Sequence, residues 1–341
     1  MSARTSLERA AESLIRYLST GPEEFVRQTG IKKRDFVPVE PQPFDGRIFA
    51  VDGSNIKVCD LSVVKANRIR AGYVVYRGRR RERTTVTYDD LFVADRRAYM
   101  EWFGEPLERL GMGDIDLSSL RGSELERIST YFRELQEYVA LDAALSESEE
   151  GDLILYDGGF AIWKDRPFGR VVAEIIRRAS ERGVDLLGVS KSSSFSWGDI
   201  SMPLVYHLSR LGKSLLPGRA WYVDLSGKNV HPDPQEERWQ GSIYMVLFHP
   251  KGDRAFRVDV PSYMNGRVAS AFSKTAAFSG SSESPGYPHA LFRAHHDLKL
   301  SSHDGEMSWF SMMDAIAARY QVSMRDLRSA MDYHEILEIT G

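Results

Sequence analysis

The chain is 341 residues long, 42% hydrophobic and 27% charged, enough apolar material for a large core in one elaborated domain or two intimate ones. Its formal net charge of -3 gives no overall basic character that would announce a nucleic-acid or anionic-membrane partner, although a neutral total can conceal a basic groove. A single cysteine, Cys59, excludes an internal disulfide framework and a cysteine-rich zinc site, and no apolar run approaches the roughly 20 residues that span a bilayer.

Residues 5–28 read as one amphipathic helix, with Leu7, Ala11, Leu14, Ile15 and Leu18 at helical spacing. Charges run throughout it, unlike a secretory signal, so a cytoplasmic location is expected. Its apolar stripe is expected to bury within the protomer or a homodimer rather than to dock a different partner. The proline-bearing stretch PVEPQPF at 38–44 closes this first region, assigned to residues 1–44. Three strand-like runs follow, at 47–54, 70–78 and 81–93, the later two separated by a short turn as in an antiparallel meander. A long helix is predicted over 123–148, with Leu125, Ile128, Phe132, Leu135 and Val139 as its apolar stripe. A buried strand at 152–159, a helix at 168–182 and a second buried strand at 184–190 complete the pattern. That alternation predicts parallel pairing with right-handed crossovers.

Meander, helix, strand, helix, strand is the connectivity of the ribonuclease H-like fold, here over about 45–192. The expected class is α/β, a mixed sheet flanked by helices. A helix near 202–212 and strands near 219–225, 241–248 and 254–260 extend it, and a helical C-terminal part at 301–341 follows a main domain of 45–300. The segment SGSSESPGYP at 279–288 is the most loop-like stretch, and there is no internal repeat.

Two segments carry the chemistry. In IFAVDGS four apolar residues run into Asp52, and LILYDGG repeats the pattern at Asp157. Either aspartate alone reads as a turn residue. Together, at one edge of an α/β sheet where sites are built, they would repel each other unless a cation stood between them. Mg²⁺ and Mn²⁺ suit such oxygen donors, and phosphoryl chemistry with two ions roughly 3.5–4 Å apart uses sites of this kind. Two carboxylates are too few, so the long helix must supply a glutamate and the tail could supply more. Lys191, after the second buried strand of the alternating part, is placed to bind phosphate as a point charge or to stand solvated in its loop. Arg77, Arg79, Arg80, Arg81 and Arg83 cluster at a hairpin turn, either as a DNA-backbone contact or as a charged edge against aggregation.

AVDGS, a glutamate-bearing helix running into LILYDGG, and the tail segment GYPHALFRAH together resemble the NurA nucleases, archaeal and bacterial enzymes with a ribonuclease H-like core. The resemblance covers about residues 45–300. It implies that Asp52, Asp157 and His295 are metal ligands and that Tyr287, eight residues before His295, belongs to the site. Glu137 best matches the family's helix glutamate, four residues after Arg133 and 20 before Asp157. Helix phase leaves Glu134 as the alternative: it sits at the edge of the apolar stripe, whereas Glu137 lies nearly opposite, on a face with Ala140 and Ala144. His296 points elsewhere on its helix. Tyr287 would orient water or the scissile phosphate, or else pack beside Pro288. An imidazole among oxygens favours Mn²⁺ over Mg²⁺.

The implied activity is a two-metal deoxyribonuclease of the 5'-3' exonuclease and single-strand endonuclease type. It would process DNA ends with a HerA-type hexameric ATPase, as a homodimer and without a membrane. The rival readings are another ribonuclease H-like nuclease, acting on RNA or branched DNA, and a catalytically inactive HerA-binding subunit.

Overall fold

The computed structural model describes residues 5–61, 63–95, 99–163, 166–199, 201–232, 236–237 and 241–320. Nine strands join in one sheet: β1 (Val37–Val39), β2 (Arg47–Asp60), β3 (Val64–Arg77), β4 (Arg80–Asp95), β5 (Leu153–Tyr156), β6 (Asp185–Ser190), β7 (Ala220–Asp224), β8 (Gly241–Leu247) and β9 (Phe256–Pro261). Their order across the sheet is β1-β7-β8-β9-β6-β5-β2-β3-β4. The large mixed sheet flanked by helices expected from the sequence is present. Strand β5 lies beside β2, the first strand of the meander, and β6 beside β5. The additional strands extend the sheet from β6 by antiparallel pairing of β9, β8, β7 and β1. The chain divides into two compact units.

One unit comprises Arg47–Ile154, Trp163–Val184 and Arg293–Gly341. Its meander strands are longer than the sequence suggests, because polar residues such as Asn55, Lys57, Asn67 and Arg68 continue the pairing beyond the apolar runs. Helix α4 (Leu125–Glu147) lies on β2, β3 and β4. It is buried on more than its predicted stripe, since α3 (Tyr99–Arg109) and α5 (Gly169–Glu181) also pack against it. Phe92 stacks on Phe132 at 4.3 Å between ring centres, and Asn67 Nδ2 donates to Ser129 Oγ at 2.8 Å. Helix α9 (Ser302–Tyr320) packs on β2 and β3, with Trp309 and Met313 against Val58, Cys59 and Ala66.

The other unit comprises Met1–Gly46, Leu155–Ile162 and Asp185–Phe292. Its core gathers Phe25, Phe36, Trp197, Leu204, Leu208 and Trp221. Gly212 in α6 (Leu204–Leu215) sits where a Cβ would fall 2.3 Å from the Trp221 ring, so only glycine lets that helix approach. The single helix expected over 5–28 is two: α1 (Ser6–Leu18) and α2 (Pro22–Thr29). Gly21 caps α2 and Pro22 takes its first position, where a missing N–H costs nothing. The stripe of α1 is not buried in the protomer: Leu7 is 80% exposed, Leu14 67% and Ile15 61%.

Helix α9 begins with a reciprocal cap. Ser301 donates its N–H (2.8 Å) and its hydroxyl (2.6 Å) to the Asp304 carboxylate, and the Asp304 N–H returns to Ser301 Oγ at 3.3 Å. The Ser301 hydroxyl first, its backbone N–H second, and Arg70 and Arg68 beyond them hold the Asp304 carboxyl down at about 2. A lowered carboxylate pKa contributes stability that is fully present above the unfolded value near 4 and is lost as pH falls through about 2. Asp304→Asn is therefore expected to cost about 1 kcal/mol at neutral pH in urea melts, the difference from wild type closing between pH 4 and 2.

Candidate metal centre

Strand β2 is apolar and buried from Ile48 to Val51, and Asp52 continues it at 5% exposure. Asp52 is not a strand end, as the apolar run followed by glycine suggested. It lies mid-strand, opposite Gly72 of β3, and pairing continues to Asp60. Gly53 is a strand residue whose missing side chain leaves room for a neighbour: a Cβ there would fall 2.6 Å from Glu137 Oε1 and 2.7 Å from its Cγ. One Asp52 oxygen accepts from the Gly53 N–H at 2.8 Å, and the other stands 3.0 Å from His295 Nδ1. His295 is carried by α8 (His289–Leu298), the helix after α7 (Val268–Ala277).

Asp157 does follow the end of its strand, β5. Its turn is shaped by close approaches, since a Cβ on Gly158 would fall 2.6 Å from the Tyr156 ring and one on Gly159 2.8 Å from Asp259 Oδ2. The Phe160 N–H donates to that same Asp259 oxygen at 2.9 Å, and Arg257 donates to the Asp259 carboxylate at 2.7 and 3.1 Å. Asp259 is fully buried and Arg257 nearly so. Neither was singled out in the sequence. The available signal was the pair of charges in the otherwise apolar strand FRVDV. Lys191 forms an ion pair with Asp157 and lies 5.7 Å over the Tyr287 ring. Tyr287 is buried, with its ring 5.2 Å from Phe256.

The two helix glutamates have different surroundings. Glu134 accepts from Tyr138 Oη at 2.8 Å and from Arg166 Nη1 at 2.5 Å. Burial first, and the Glu134 charge second, push the Tyr138 phenol well above its usual value, so it stays a donor. Glu137, 2% exposed, is ion-paired with Arg133 and lies against Gly53. In the hairpin, Arg81 pairs with Asp297 and Arg83 with Glu147, while Arg77 meets Glu82 at 3.1 Å. Arg79 and Arg80 are exposed at the turn.

Asp52, Asp157 and His295 each offer one ligand atom, and these atoms lie within 4.8 Å of one another. Glu137 and His296 stand outside that group. The donor set fits a hard divalent cation: adjacent ligands of an octahedral ion with bonds of about 2.1 Å lie roughly 3 Å apart, which is the spacing found between Asp52 and His295.

The NurA domain model matches residues 46–300. The chain belongs to the NurA family. None of the curated proteins matches it in sequence. Among solved structures, the NurA nuclease from Sulfolobus solfataricus is 13% identical, covering 94% of this chain and 96% of its own, with a TM-score of 0.53. A second NurA crystal structure is 11% identical, covering 97% of this chain and 100% of its own, with a TM-score of 0.58. The shared element is the fold, spread over nearly the whole of this NurA-family chain.

Because Gly53 has no side chain where Glu137 passes, Gly53→Ala is expected to destabilise by about 1–3 kcal/mol. Adding Glu137→Ala should recover part of that loss, a non-additivity that a double-mutant cycle of urea melts would detect.

Proposed function

We propose that this chain is a metal-dependent deoxyribonuclease, hydrolysing DNA phosphodiester bonds with Mn²⁺, or Mg²⁺, at Asp52, Asp157 and His295. The observation that carries the reading is the convergence of those three ligand atoms within 4.8 Å in a chain of the NurA family. When bound, a divalent cation supplies Lewis acidity toward water and charge neutralisation at the phosphate.

The chain's own residues do the rest. Asp52 and Asp157 provide the anionic oxygens, and His295 the nitrogen that favours Mn²⁺. Glu137 is the further anion, admitted to the strand by Gly53. Glu134 takes the structural role of the two, its oxygens held by Arg166 and Tyr138, while Glu137 lies against Gly53 next to Asp52. Lys191, paired with Asp157, places a positive charge where a scissile phosphate would arrive. Tyr287, under that lysine, bounds the phosphate site. Arg79 and Arg80 contact the DNA backbone from the hairpin, whereas Arg81 is a weaker choice because Asp297 holds it.

The 5'-3' exonuclease and single-strand endonuclease type, two-ion chemistry, DNA-end repair in the cytoplasm and a HerA-type hexameric ATPase partner follow from the family resemblance and belong to this proposal. The exposed stripe of α1 supports a homodimer contact.

Labelled linear duplex, single-stranded DNA and RNA incubated with Mn²⁺ test the reading. DNA is expected to be cut and RNA spared, with cutting lost on adding EDTA. Asp52→Ala and Asp157→Ala should each lose roughly a hundredfold or more in rate while melting as cooperative folds. Wild-type rates in either variant would overturn the assignment. Glu137→Gln should lose rate with little change in melting, and Glu134→Gln should do the reverse, because it breaks a buried pair.

A further inference from the structure

The serine of AVDGS has no part in the site described so far, yet its hydroxyl is fully used. Ser54 Oγ donates to the Leu298 carbonyl at 2.6 Å and accepts from the Leu300 N–H at 3.1 Å. Leu298 is the last residue of α8, where carbonyls lack helical partners. One side chain on β2 therefore ties off the end of the helix that bears His295.

The geometry makes this more than a cap. Asp52 and Ser54 are two apart on a strand, so both side chains face the same side, about 6.7 Å apart along it. His295 and Leu298 are three apart on a helix, just under one turn and about 4.5 Å along its axis. The two contacts, Asp52 with His295 and Ser54 with Leu298, thus fix the same helix to the same strand at two points. Gly72, paired with Asp52, is required chiefly by β4, where a Cβ would fall 2.2 Å from the Thr85 carbonyl oxygen, and Leu298 Cδ2 of the helix comes to 3.1 Å of the same point. Asp297 adds a third hold from β4, accepting from Thr84 Oγ1 at 2.7 Å and pairing with Arg81. Helix α8 also spends its own Arg293 on Asp297, at 3.0 Å.

We propose that Ser54 is a positioning residue for His295: it sets the register of α8 on β2, and so the distance from the imidazole to Asp52. The inference rests on the metal-site reading above. A serine that only caps a helix would contribute stability alone. One that sets this register also raises metal affinity, and does so through His295. Outer-shell partners of metal ligands are commonly worth tenfold or more in affinity.

Mn²⁺ affinity measured by calorimetry on wild type, Ser54→Ala, His295→Ala and the double variant decides it, with urea melts confirming folded protein. Ser54→Ala is expected to weaken Mn²⁺ binding about tenfold, and to have no further effect once His295 is alanine. Ser54→Thr keeps the hydroxyl and should retain wild-type affinity, and Ser54→Cys, whose thiol hydrogen-bonds only weakly, serves in place of the alanine variant should that fail to fold. Unchanged affinity in Ser54→Ala, or a loss that simply adds to that of His295→Ala, overturns the proposal. Unchanged affinity in His295→Ala would instead sink the metal-site reading. Hydrogen exchange at the Leu300 amide, read on metal-free protein, then judges the clamp separately: faster exchange in Ser54→Ala supports it, and an unchanged rate overturns it.

Discussion

A carboxylate in the middle of a buried strand is costly to the fold, and much of the local structure around Asp52 answers that cost. An apolar residue there would continue the run Ile48–Val51 and stabilise the sheet. Instead, one oxygen is satisfied by the next N–H along the strand and the other is offered to an imidazole 3.0 Å away. Bringing the Asp157 ligand atom within 4.8 Å adds like charge to a place that already disfavours charge. Lys191 on Asp157 and the Gly53 N–H on Asp52 offset part of that cost. A divalent cation at the same point would convert the remaining repulsion into shared ligation.

The same economy separates the two glutamates on α4. They lie less than one turn apart, so their roles cannot be told from composition, and helix phase alone leaves both open. Their partners differ. Glu134 has its oxygens held by a phenol and a guanidinium, a neutral and a cationic donor. Glu137 has its long side chain laid against a glycine, which is the contact a strand makes when a carboxylate must come close to its backbone. Arg133, one turn earlier, balances it.

Much of the fold was legible because its elements are strongly patterned. The buried runs at 153–156 and 185–190 and the stripe of α4 left little choice of period, and the meander announced itself by short turns. Three features were not legible, each for a physical reason. Helix α3 carries Gly104 and Pro106 inside it, residues that argue against helix locally but are tolerated when Phe103 and Leu107 bury against the sheet and α4. The break between α1 and α2 depends on Gly21 and Pro22, which an apolar stripe read across the whole segment overrides. Asp52 was misplaced at a strand end because an aspartate followed by glycine usually turns the chain. Here the glycine serves an approach from α4 while the strand runs on. Of the candidate site, the two aspartates stand out in the sequence and His295 through the family resemblance, whereas the groups that surround them do not. Arg257, Asp259 and Asp297 meet their partners only through tertiary contacts, which leave no local pattern to read.

Those holding groups show what the short motifs encode. In the turn after β5, Gly158 and Gly159 are required by a tyrosine ring and a buried carboxylate that come within 3 Å of where their side chains would start. Asp259 is held in place by Arg257, and through the Phe160 N–H it fixes the backbone just beyond Asp157. A buried ion pair of this kind gives little net stability, since desolvation consumes most of its attraction, but it tolerates few alternative geometries. On β2 the neighbours of Asp52 divide similarly, Gly53 yielding space to α4 and Ser54 gripping α8. Both segments therefore pair one aspartate of the candidate metal group with residues whose constraint is distance. The aspartate alone could be met by chance in any strand. What makes the segments informative is that the residues beside it are small or hydroxylated where a second element must touch the backbone, which is what fixed ligand spacing would require at both places.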